Sequence, residues 1–116
     1  MKTIKDLKQE SNLAVVISDH QGFITFVNKS FENTFGWKSS EILGKPLTTI
    51  IPKALQDSHH LGFSRFLTTE QPTLINKPLK LKAVKKDGVE FDSEHIIFAE
   101  KENENWVFGA SIKPIT

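Results

Sequence analysis

The 116-residue chain has no cysteine. That absence excludes disulfides, zinc–thiolate sites, thiol nucleophiles and any cysteinyl photoadduct together, and it fits a reducing, cytoplasmic setting. Charge of one sign is also lacking. Fifteen basic residues stand against fourteen acidic ones, and the lysines are spread along the chain rather than gathered in a stripe, so nucleic acid is not an expected partner. No apolar run approaches the roughly 20 residues of a membrane-spanning helix, and Met1 to Ser11 is too polar for a secretory apolar region. Direct membrane contact is therefore not expected either.

What remains is ordinary globular material. Hydrophobic residues make up 38% of the chain, with nine Phe and two Trp, enough for a single core in a domain of this size. Residues 1–12 are read as an N-terminal helix or linker, because Ile4 and Leu7 lie three apart among charged residues. Such a segment suits a dimer contact. Residues 13–116 are read as the domain proper.

The β-branched run Leu13–Ser18, the turn residues Asp19 to Gly22 and the run Phe23–Val27 predict a hairpin. Asn28 is placed to start a short helix carrying Phe31 and Phe35, and Gly36 to end it. Ser39 and Ser40 before Glu41, Ile42 and Leu43 predict a second short helix with a capping serine. Pro52 opens a longer helix from Lys53 to about Thr69. Leu79, Leu81 and Ala83 alternate with Lys80 and Lys82 up to the turn Lys85–Gly88. The return strand is expected over Val89–Ala99, then a polar loop Glu100–Asn105 and a last strand Trp106–Ile112. Hairpins flanking a block of helices argue an α+β fold with the helices on one face of an antiparallel sheet.

These pieces, in this order, resemble the PAS family of sensory domains from Leu13 to Thr116. The resemblance rests on Gly22-Phe23-Ile24 with Asn28, on Phe35-Gly36-Trp37, Glu41, Leu43-Gly44 and Pro52, and on Lys86-Asp87-Gly88 followed by Phe91. It implies five antiparallel strands closing a pocket with the helices. It also implies a homodimer acting on a signalling output such as a kinase, cyclase or transcription regulator.

The histidines carry the candidate chemistry. At about 100° per residue, Leu55, His59, Gly62, Phe63 and Phe66 share one face of the predicted central helix, while His60 projects to the side. A neutral imidazole in an apolar pocket suits haem iron, and Gly62 would admit a flat macrocycle. The segment from Pro52 through His59 to Thr69 is similar to the corresponding helix of oxygen-sensing haem PAS domains of bacterial histidine kinases. That resemblance implies haem b held by His59. It also sets Leu79 in the place of a distal arginine that helps hold oxygen, and Ile97 in that of a distal aliphatic residue, so tight oxygen binding loses its support. On the last long strand but one, Phe91, Ser93, His95 and Ile97 share a face. His95 is thus expected to line the same pocket, as a second axial ligand or a hydrogen-bond donor to a small molecule. Leu81 lines it as well.

Plainer readings stand beside these. His59 can be a core histidine bonded to a carbonyl, with no cofactor or a different small molecule in the pocket. Asp57, His59 and His60 diverge too far around a helix to share one ion. A cofactor-free interaction module would expose one parity of the first strand, Val15 with Ile17 or Ala14 with Val16. Catalysis is not expected: no nucleophile elbow, phosphate-binding glycine loop or HExxH pair occurs, and Ser64 has no evident base beyond His60.

Overall fold

The computed structural model describes residues 3–56 and 78–115. Its centre is a five-stranded antiparallel sheet built from β1 (Ala14–Ser18), β2 (Ile24–Val27), β3 (Leu79–Val84), β4 (Glu90–Glu102) and β5 (Asn105–Pro114), in the order β2-β1-β5-β4-β3. The two hairpin edges are thus joined through the central β1–β5 pairing, in which Val16 faces Ala110.

Between the hairpins lie α2 (Lys29–Phe35), α3 (Ser39–Ile42) and a 3-10 turn over Leu47–Ile50. Asn28 organises the start of α2. Its side-chain oxygen accepts from the backbone N–H of Phe31 at 2.9 Å and of Val15 at 3.0 Å, while its amide donates to the carbonyls of Glu10 and Leu13, each at 2.9 Å. One residue therefore caps a helix and pins the segment entering β1. Gly36 ends α2 at φ +78°, a left-handed position that disfavours a side chain.

The serine expected to cap α3 does not. Lys38 occupies the cap position, Glu41 reaches back to the Lys38 N–H, and Ser39 is the first helical residue, with its N–H and hydroxyl both donating to Glu32. A carboxylate from the preceding helix has taken over the serine. The expected polar loop Glu100–Asn105 is also absent. β4 runs on to Glu102 and turns at Asn103 and Glu104, whose φ values of 50° and 72° suit a tight two-residue hairpin. Beside that turn Lys101 faces Trp106, with its ammonium 5.5 Å from the ring, so charged residues extend the ribbon without burial.

Two apolar layers follow from strand parity. On the inner face Ala14, Val16, Ile24, Val27, Ala83 and Ile112 pack with Phe31, Phe35, Ile42 and Ile50 from the helical block. Phe31 and Phe35 stack at 4.4 Å, and Phe91 meets Phe35 edge-on at 5.3 Å. On the outer face α1 (Ile4–Gln9) lays Ile4 and Leu7 over Val15, Ile17 and Phe98. Glu100 accepts the N–H of Ile4 at 3.0 Å, anchoring the first turn to β4. Val15 and Ile17 therefore form no exposed patch.

Candidate ligand site on the inner face of the sheet

Alternation along β4 sends Phe91, Ser93, His95 and Ile97 to the inner face. Register then sets their neighbours. Leu79 of β3 and Ile112 of β5 flank His95, Leu81 and Pro114 flank Ser93, and Ala110 lies beside Ile97. The sheet thus brings together four residues singled out from the sequence: His95, Leu79, Leu81 and Ile97.

His95 is 9% exposed and Ser93 is fully buried. The Ser93 hydroxyl donates to the Leu81 carbonyl at 3.0 Å, and its oxygen lies 2.7 Å from Nε2 of His95. A serine hydroxyl has one proton, so it donates to only one of these two neighbours. The tautomer of the ring sets the direction of the short contact to His95: with the serine proton on the carbonyl, it is an Nε2–H donating to the serine oxygen. In that tautomer Nδ1 carries no proton. Burial pushes the imidazole down from 6.5 to about 4, since a charged ring would lose its hydration with nothing to replace it. At neutral pH the ring is uncharged.

Around this polar pair the surface is apolar and incompletely covered. Leu81 stays 39% exposed although it points to the core side, and Leu79 and Ile97 are half-buried. Leu55 is half-buried in the helical turn that follows Pro52. His59, Gly62, Phe63 and Phe66 lie outside the described residues. Ser93 was not foreseen as a site residue. Its signal was the two-residue spacing from His95 on a core-facing parity.

A separate polar groove of about 530 Å³ is lined by Lys29, Glu32, Asn33, Gly36, Trp37, Lys38, Ser39 and Ser40, and shares no residue with the β4 site. Beside it the Trp37 indole N–H is buried without a partner among the described residues, and the ammonium groups of Lys45 and Lys86 lie within 6 Å of the ring. Among the described residues no group of three or more His, Asp or Glu could hold a metal ion, and no helix is long and apolar enough to cross a membrane.

The five-stranded antiparallel sheet with its block of short helices defines the fold class as α+β. The chain belongs to the PAS family: the PAS domain model matches residues 12–116. It is 30% identical to a protein of Azorhizobium caulinodans over 104 residues, covering 89% of this chain and 14% of that protein. It is 27% identical to the sensor protein FixL of Bradyrhizobium diazoefficiens over 78 residues, covering 67% of this chain and 15% of FixL. The chain thus spans about a seventh of the length of these curated relatives. The PAS domain of a Colwellia psychrerythraea protein superposes with a TM-score of 0.72 at 20% identity, covering 89% of this chain and 86% of that one.

Proposed function

We propose that this chain is the sensing module of a signalling protein, in which a small molecule or cofactor held against the inner face of β3, β4 and β5 biases the packing of the sheet. The observation that carries this reading is the buried His95–Ser93 pair set among Leu79, Leu81 and Ile97. A neutral imidazole and a serine hydroxyl set together among incompletely covered leucines give an apolar surface one polar contact point, the make-up of a small-molecule site. The output is a kinase, cyclase or transcription regulator, reached as a cytoplasmic homodimer. The similarity to FixL supports a kinase first.

Haem b is the cofactor this reading tests first. The described wall suits it, being apolar at Leu79, Leu81 and Ile97 with no charged group on that parity from Phe91 to Ile97. His59 would hold the iron. A haem would supply an iron that binds a diatomic gas or changes oxidation state, and Leu79 offers bound oxygen no hydrogen bond. Protein purified with added haemin should show a Soret band that His59→Ala abolishes and His60→Ala preserves. A colourless protein, or loss only with His60→Ala, would remove haem from the account. The cofactor-free interaction reading gains nothing from the first strand, whose Val15 and Ile17 are covered by α1.

A further inference from the structure

Resting on the inner face as the ligand site, we propose that the ligand is a neutral, mainly apolar molecule that donates one O–H or N–H hydrogen bond to Nδ1 of His95, and that Ser93 sets this polarity. Three observations converge on it. His95 is more than nine-tenths buried beside the half-buried Leu79 and Ile97, so a molecule resting on these side chains meets the ring with little water around it. The Ser93 hydroxyl lies 3.0 Å from the Leu81 carbonyl, a fixed backbone acceptor in the β3–β4 ladder, and 2.7 Å from Nε2 of His95; with its one proton on that carbonyl, Nε2 is the donor and Nδ1 the acceptor. Among the described residues the neighbours of His95 in the sheet are Leu79, Leu81, Ile97 and Ile112, which offer an apolar molecule contact and an ionic one no counter-charge.

Each consequence follows from the direction of that hydrogen-bond chain. A ligand with only acceptors would set a lone pair against the Nδ1 lone pair. An anion would be buried against a neutral ring. A molecule with one donor on an apolar frame satisfies the nitrogen and fills the leucine-lined surface. Ser93 is a positioning residue here, since it acts through the tautomer of His95. Replacing it with alanine frees the ring to carry its proton on either nitrogen.

Phenol and anisole test this, because they share a ring and differ in the donor. Followed by NMR at pH 7, phenol should shift the resonances of Leu79, Leu81, Ile97 and His95 and bind at least about fivefold more tightly than anisole. The preference should vanish in His95→Phe and shrink in Ser93→Ala. Equal or tighter anisole binding would overturn the acceptor assignment and leave the ligand site standing. Failure of both probes to move these residues would remove the ligand site itself, and this inference with it. Should His95→Phe not fold, the imidazole nitrogen shifts of the wild-type protein decide: Nε2 protonated with Nδ1 bare supports the assignment, and the opposite tautomer overturns it.

Discussion

A β-carbon placed on Gly109 would lie 2.6 Å from Cδ1 of Leu7 and 2.9 Å from Cδ1 of Ile4. The glycine in β5 is thus the notch that lets α1 seat on the outer face, and it explains a strand residue whose type would otherwise weaken the strand. Gly109→Ala should cost about 1–3 kcal/mol and loosen α1 before the sheet. Amide exchange at Leu7, which is bonded to Thr3, should accelerate while exchange in the β3–β4 ladder holds. Unchanged protection at Leu7 would show that α1 tolerates the methyl group and that the notch is incidental.

Asn28 ties three elements together through four hydrogen bonds. Asn28→Ala strips the cap of α2 and leaves the carbonyls of Glu10 and Leu13 and the N–H of Val15 short of a partner, an expected loss of about 2–4 kcal/mol. Asn28→Asp keeps the acceptor for Phe31 and Val15 but loses both donated bonds, so its chemical-denaturation midpoint should fall between wild type and Asn28→Ala. A midpoint for the aspartate equal to that of the alanine would mean that the donated bonds carry the effect and the cap carries none.

The buried imidazole makes stability depend on pH with a definite sign. His95 titrates near 4 in the folded chain and at 6.5 when exposed, so between those values the unfolded chain binds the extra proton. Stability from this group is complete above pH 6.5 and is lost as pH falls towards 4, by about 3 kcal/mol in all. Glu32, lowered chiefly by the Ser39 backbone N–H, and Glu41, lowered chiefly by Lys86, add their own losses below 4.5, outside most of this window. Urea unfolding at pH 7 and pH 5 should therefore show a smaller difference for His95→Leu than for wild type. Parallel pH profiles for the two proteins would contradict the burial of His95.

Much of this arrangement is legible in the residues, and the places where it is not have physical causes. The hairpin turns, the Asn28 cap and the Gly36 stop follow from side-chain chemistry that acts within a few residues. The inner parity of His95 follows from counting in twos from Phe91. The role of Ser39 was hidden because its partner, Glu32, comes from another helix. The length of β4 was hidden because Glu100, Lys101 and Glu102 look like a loop until Trp106 and Asn105 pair with them across the turn. The contact of the Ser93 hydroxyl with the Leu81 carbonyl was hidden because only the strand pairing sets those two residues opposite each other. The covering of Val15 and Ile17 by α1 depends on Gly109, about a hundred residues from the helix it admits.

The central claim is that the inner face of β3, β4 and β5 holds a space for a small molecule. Xenon reports this without any assumption about the natural ligand, because it enters apolar cavities and ignores filled ones. In crystals pressurised with xenon, the account predicts an ordered atom in contact with Leu79, Leu81, Ile97 and the His95 ring. An inner face packed solid by side chains, with no xenon against those four residues, would contradict it.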